Sequence, residues 1–229
     1  MRLHRFYIKE DLEKGKEVRI LDPDLIHQWM KVFRFKASDR VIVFNGNGKE
    51  FEGYFKVLSK KEAVILIDKE NEVNNGQKVE LHVFQSMIKK DNFELVVEKC
   101  TEIGASAFHP IISERSEKKD VNIQRLEKIA KEASEQSGKV RLPEIFGPSD
   151  LKSAIDNFDG KLFVLDLDGK ELDIKDGKVG ILIGPEGGWT ENERDLFEHM
   201  NIKSFSLGPQ ILRAETAAIA ASAIILLSK

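Results

Sequence analysis

The chain has 229 residues, of which 41% are hydrophobic and 33% charged, and its formal net charge is -3. That apolar content suffices for one large core or two small ones and excludes an intrinsically disordered chain. The overall balance carries no nucleic-acid signature, although residues 1–70 hold 15 Lys and Arg against 12 Asp and Glu, a mildly basic front.

The first 70 residues read as mainly β. Before the strands, residues 24–35 carry Leu25, Trp29, Met30 and Phe33 at helical spacing. Residues 40–45 and 50–58 alternate as strands around the turn Gly46-Asn47-Gly48, and 63–67 is an apolar strand after Ser59-Lys60-Lys61. Short strands at this spacing predict a small β-barrel. Residues 71–77 are polar and turn-rich, with Asn74-Asn75-Gly76, and mark the linker. The expected division is a domain at 1–72 and a second at 73–229.

Beyond the linker, strands alternate with helices. Strand patterns at 79–85, 108–112, 161–167, 179–183 and 204–207 are separated by helical patterns at 92–103 and 121–137. This alternation predicts an α/β domain with a mainly parallel sheet. Cys100 and Trp29 fall on apolar stripes and are expected in the cores. The lone cysteine excludes an internal disulfide and a Cys-based zinc site and suits a reducing cytosol. His4, His27, His82, His109 and His199 have no metal-ligand spacing, so no metal is expected. No basic-then-apolar leader opens the chain. The longest apolar run, 217–227, is broken only by Ser222 and is shorter than the ~20 residues of a membrane helix. A cytoplasmic protein is therefore expected, with 217–227 a buried helix that packs against a second subunit.

Two loops near the C-terminus carry the chemistry. The first, Gly184-Pro185-Glu186-Gly187-Gly188-Trp189, ends an apolar strand; its glycines leave backbone amides open to a ligand, and Thr190-x-x-Glu193 reads as a capping box. It lacks the Gly-Lys-Ser/Thr of a Walker loop and the glycine spacing of a dinucleotide fingerprint. The second, from Leu207-Gly208-Pro209 through Ile211-Leu212-Arg213-Ala214-Glu215, places apolar residues beside opposite charges, which suits a heteroaromatic ligand with polar handles.

Gly-Pro-Glu-Gly-Gly-Trp and Leu-Gly-Pro-Gln-Ile-Leu-Arg-Ala-Glu-Thr-Ala-Ala resemble the C-terminal signatures of the SPOUT, or trefoil-knot, methyltransferases, and most of all the 16S rRNA (uracil(1498)-N(3))-methyltransferase family. Five further segments agree in order: Arg5-Phe6-Tyr7, residues 27–34, Glu98 to Gly104, Glu114-Arg115-Ser116, and Glu132 to Arg141. Lys139, Gln210 and Ala214 depart from the usual Arg, Arg and Thr, and Gln cannot grip a phosphate as Arg does.

The resemblance implies a C-terminal α/β-knot with a small N-terminal PUA-like β-barrel that binds RNA, and a homodimer. It implies S-adenosyl-L-methionine as cofactor, held among 165–167, 184–188 and 207–217. The implied contacts are Leu165, Leu167, Ile183, Gly184, Pro185, Glu186, Gly187, Gly188, Leu207, Gly208, Ile211, Leu212, Arg213, Glu215, Thr216 and Ala217. The implied reaction is methylation of uridine N3 in 16S rRNA of the small ribosomal subunit. Uracil N3 is protonated at neutral pH, so Arg213 is the candidate for stabilising the ring anion, while Glu186 and Glu215 both stay open as proton acceptors. Candidate RNA contacts are Arg5, Tyr7, Arg34, Lys89, Lys90, Arg115, Glu132, Gln136, Lys139 and Arg141. A knotted enzyme acting on a tRNA base or ribose, or a non-catalytic ribosome-assembly protein of this fold, are the alternatives.

Overall fold

The structure is a computed structural model that describes residues 3–73, 76–116, 120–170 and 174–228. The chain divides into two compact units, one of residues 1–75 with 134–142 and one of residues 76–133 with 143–229. Part of the expected linker, Asn74 and Asn75, lies outside the described residues.

The first unit holds β1 (Arg5–Tyr7), β2 (Glu17–Ile20), β3 (Arg40–Phe44), β4 (Lys49–Leu58) and β5 (Ala63–Glu72) in the order β1-β3-β4-β5-β2. All neighbours are antiparallel except β1 and β3. Ala63, Ile65 and Ile67 point inward by strand alternation and meet Phe6, Val41, Val43, Phe51 and Phe55 in the core. At Gly53 the register shifts, and a Cβ there would lie 2.4 Å from the Leu66 carbonyl, so the bulge requires glycine.

The helix expected over 24–35 is shorter and changes type. The Asp22 carboxylate accepts from the Asp24 and Leu25 amides and caps α1 (Pro23–His27), with Pro23 at the first turn. A π-helical turn follows over Gln28–Val32, and Arg34 ends it at φ 57°. The π turn accompanies full burial of Trp29, whose ring meets Phe55 at 5.0 Å and Phe6 at 5.6 Å.

The second unit is built on a parallel sheet ordered β12-β10-β11-β6-β7-β8. Its strands are β6 (Val79–Ser86), β7 (Ala107–Ile112), β8 (Glu144–Ile145), β10 (Lys161–Lys170), β11 (Gly177–Ile183) and β12 (Lys203–Phe205), while β9 (Ser149–Asp150) pairs with β7. The helices are α2 (Lys90–Ile103), α3 (Ile123–Ser137), α4 (Leu151–Asp156), α5 (Glu191–His199) and α6 (Ala214–Leu227). Alternation along β6 and β11 loads both faces. Leu81, Val83, Ile181 and Ile183 meet Val97 and Cys100 of α2 and Ala217, Ala218 and Ala221 of α6. Phe84 and Leu182 meet Ile155 of α4, Phe197 of α5 and Trp189, which precedes α5. The last strand joins the far side of β10, and α6 then returns across β11 and β6, the arrangement of the α/β-knot.

Candidate active site

The carboxyl ends of β10 and β11 and the segment after β12 surround a cavity of about 360 Å³. Leu165, Asp166 and Leu167 come from β10, Ile183 to Glu186 with Gly188 and Trp189 from the first glycine loop, Arg194 from α5, and Ser206 to Gly208 with Gln210 to Ala214 and Ala217 from the second loop and α6. Crevices at the carboxyl ends of parallel strands are where α/β folds place ligands. The lining is mostly apolar, with Asp166, Glu186, Arg194 and Arg213 as its charges.

The first loop is clamped. Gly188 adopts φ 68°, and its N–H donates to the Pro185 carbonyl at 2.9 Å. At Gly184 a Cβ would press to 3.2 Å from the Trp189 indole. The capping box is present: Glu193 N–H donates to Thr190 Oγ1, and Thr190 N–H donates to Glu193 Oε2 at 2.8 Å. Glu193 is buried and uses its other oxygen to accept the Glu114 N–H at 2.9 Å. Arg115 Nη1 donates to the Gly187 carbonyl at 2.7 Å. The turn after β7 is thereby fastened to the loop by a carboxylate on amides and a guanidinium on a carbonyl, both charge-assisted links.

The second loop is held only at its ends. Gly208, at φ 119°, donates to Ser206 Oγ at 3.1 Å, and Ala217 N–H donates to the Arg213 carbonyl at 2.8 Å. Among the described residues Gln210, Ile211 and Leu212 make no hydrogen bond, and Ile211 is 85% exposed. The side chains of Arg213 and Glu186 have no ion pair or hydrogen bond among the described residues. The expected strand over 204–207 stops at Phe205, where the Ser206–Gly208 turn begins.

The cavity gathers most of the residues expected to hold a cofactor, but Gly187, Glu215 and Thr216 lie off it. The Gly187 carbonyl faces Arg115, Thr216 is exposed, and Glu215 is buried in the first turn of α6 with Oε2 unpartnered. Sequence reading placed Asp166 in the 165–167 loop and Trp189 in the first glycine phrase without giving either a contact, passed over Arg194 and Ser206, and treated Gln210 and Ala214 as departures. Asp166 and Arg194 are ion-paired 28 residues apart, a pairing no local pattern reveals.

The candidate RNA residues divide between the units. In the first, Tyr7 N–H donates to Glu135 at 2.9 Å, and the Arg141 guanidinium lies against Gly48. Arg5 packs near Gly138 and pairs with Glu50 at 3.1 Å. Gln136 and Arg34 are exposed, and burial pushes the Lys139 ammonium down to about 8. In the second, Lys89 and Glu132 are exposed, Lys90 pairs with Glu94 at 3.7 Å, and Arg115 is committed to the glycine loop on one edge.

No helix among the described residues is long and apolar enough to cross a membrane. Residues 75–226 match the family model of the RNA methyltransferase domain, and residues 30–68 match that of the RNA methyltransferase PUA domain. The chain is 30% identical to ribosomal RNA small subunit methyltransferase E of Rickettsia conorii, over 97% of this chain and 95% of that protein. To the protein of the same name from Bacillus subtilis it is 27% identical, over 94% and 93%. Among solved structures, ribosomal RNA small subunit methyltransferase E from Neisseria gonorrhoeae, bound to S-adenosyl methionine, superposes with a TM-score of 0.89 at 30% identity, covering 98% of this chain and 97% of that one. A putative methyltransferase from Legionella pneumophila, in complex with the same cofactor, gives 0.90 at 26%, with the same coverage. With both family models matched in order along the chain and the strand-end cavity inside the residues matched by the first of them, this chain belongs to the RNA methyltransferase family that includes ribosomal RNA small subunit methyltransferase E.

Proposed function

We propose that the protein methylates N3 of a specific uridine in 16S rRNA of the small ribosomal subunit, using S-adenosyl-L-methionine. The observation that carries this reading is the cavity at the strand ends, where glycine-loop backbone and apolar side chains meet four charged groups. An adenosine needs apolar walls and backbone partners, and a methionyl tail needs charges, so the residues present fit the cofactor. Leu165, Ile183, Leu207, Ile211 and Leu212 would enclose the base. When bound, the cofactor would supply an electrophilic methyl group on a sulfonium.

The protein's own part is to make uracil N3 nucleophilic and to aim it. N3 must lose its proton, and the resulting negative charge spreads onto the ring oxygens. Arg213 lines the cavity with a guanidinium that has no partner among the described residues and donates to that charge as it forms. Of the two candidate carboxylates, Glu186 lines the cavity and Glu215 does not, so Glu186 is assigned proton acceptance, directly or through water. Holding base and methyl in line supplies much of the remaining rate.

The first unit would bind RNA through Arg5, Tyr7, Gln136, Lys139 and Arg141, with Arg34 on the same unit and Lys89 and Arg115 serving the catalytic unit. A homodimer is part of the reading. Leu227 is 62% exposed and Ile224 44%, both on α6, with Leu95 of α2, a helix that packs on α6, also exposed; a second copy would cover them. A monomer mass independent of concentration in sedimentation would contradict it.

The test is transfer of labelled methyl to small subunits from cells lacking this modification, followed by digestion to nucleosides. N3-methyluridine as the sole labelled product is expected. Label in tRNA or on a ribose would replace this reading with a different RNA target, and absence of both label and cofactor binding would replace it with a non-catalytic RNA-binding role.

A further inference from the structure

We propose that the Asp166–Arg194 pair is a receptor for the amino-acid end of the cofactor, with Arg194 taking the α-carboxylate and Asp166 the α-ammonium. The proposal rests on the cofactor reading above. Of the four charges on the cavity wall, Glu186 and Arg213 have no partner among the described residues, whereas Asp166 and Arg194 are bound to each other. An ordinary surface ion pair would explain the contact, but the setting differs from a surface. The Asp166 side chain is only 14% exposed and sits between Leu165 and Leu167 on the wall of a largely apolar cavity. Withdrawing a carboxylate from water carries a cost that one partner only partly offsets, so a further cation there is favourable.

Both groups are held in place. Asp166 Oδ1 accepts the Leu167 N–H at 2.7 Å while Oδ2 accepts from Arg194 Nη1. Arg194 follows the buried cap Glu193, and its N–H donates to the Thr190 carbonyl at 3.0 Å, which fixes its Cα on α5. The Arg194 side chain is 48% exposed, and only Nη1 is engaged, so its other donors remain for a carboxylate. Each Asp166 oxygen keeps a lone pair. A positive and a negative group fixed side by side complement a ligand that carries the opposite pair one carbon apart, as an α-amino acid does. A nucleoside without that tail gains nothing from the arrangement.

The experiment compares two ligands by calorimetry on the full-length protein. S-Adenosylhomocysteine carries the amino-acid end; 5′-methylthioadenosine keeps the adenosine and thioether and lacks it. Arg194→Met and Asp166→Asn are each expected to weaken S-adenosylhomocysteine about tenfold, the scale of one charge-assisted hydrogen bond, and to leave methylthioadenosine within about twofold. Methylthioadenosine binding also reports that each variant is folded. Equal losses for both ligands would show that the pair merely shapes the loop, and no loss for either would show that it is a bystander; both results overturn the proposal. If the unaltered protein binds neither ligand, the cofactor reading itself falls and takes this inference with it, an outcome distinct from the other two.

Discussion

The two loops that face the cavity are built on different plans. Residues 184–190 are fixed before any ligand arrives: Glu193 holds the Thr190 and Glu114 amides, Arg115 holds the Gly187 carbonyl, and Gly188 closes a turn on Pro185. Residues 209–212 have only their ends tied, and Ile211 stands 85% exposed. An exposed isoleucine on a cavity wall is an unfavourable surface until something covers it. Within the proposed function the difference fits two tasks: residues 184–188 would supply fixed backbone groups, and the apolar residues at 211 and 212 would be covered by the cofactor, with Arg213 anchored beside them at the start of α6.

The sharpest way to break this comparison is at the tied end of the second loop. Arg213→Ala is expected to lower kcat by about 10²–10³, the usual effect of removing one donor to a developing negative charge, with cofactor affinity changed less than about threefold. Equal losses in both would mean that Arg213 serves the cofactor instead. Next comes the clamp. Glu193→Ala removes the carboxylate half of the capping box and leaves two part-buried amides without their acceptor, so urea unfolding should show a loss of roughly 2–3 kcal/mol. A loss below about 0.5 kcal/mol would mean that the first loop is not held by this carboxylate. A smaller effect is expected at Ile211→Ala. Its stability should stay within about 0.5 kcal/mol, as for other exposed positions, while cofactor affinity falls about tenfold through lost apolar burial. A stability loss without an affinity loss would reverse the assigned roles.

The smallest effect lies away from both loops. His109 is stacked between Phe84 and Phe146 at 4.1 Å and shares a 2.9 Å hydrogen bond with His82, toward the amino ends of β6 and β7. Burial first, then His82 and the Lys178 cation, push His109 down to about 3. Because the folded value lies below the ordinary one of 6.5, the contribution of the neutral ring is complete above 6.5 and is lost as pH falls toward 3. Melting temperature should decline over that range, and His109→Phe should flatten the decline without altering cofactor affinity at neutral pH. An unchanged slope would show that His109 is not the group responsible.

Much of the architecture was legible because burial follows period. The alternation of β5 and the helical stripe of α2 place Ile65, Ile67, Val97 and Cys100 in the cores where their spacing puts them. The capping box at Thr190 and Glu193 was readable as a local code. What escaped was short or non-local. β1, β2, β8, β9 and α4 span two to six residues each, too few for a period to emerge. The helix from Pro23 changes type at Gln28 where Trp29 enters the core, a tertiary demand. At the site, the glycine phrases fall on loops that line the cavity, but the Asp166–Arg194 pair joins β10 to α5, and the link from Arg115 to Gly187 crosses 72 residues. Glu186 and Glu215 look alike in sequence, and only the fold sets one on the cavity wall and the other under α6.

The first loop is tied along its length and the second only at its ends. Amide hydrogen exchange of the full-length protein, with and without saturating S-adenosylhomocysteine, tests this directly. Residues 210–213 should exchange fast alone and gain at least about tenfold protection with ligand, while Gly188 and Thr190, whose amides already donate to the Pro185 carbonyl and to Glu193, should be protected and change little. Equal gains in both loops, or no gain at 210–213, would contradict the division of labour between them.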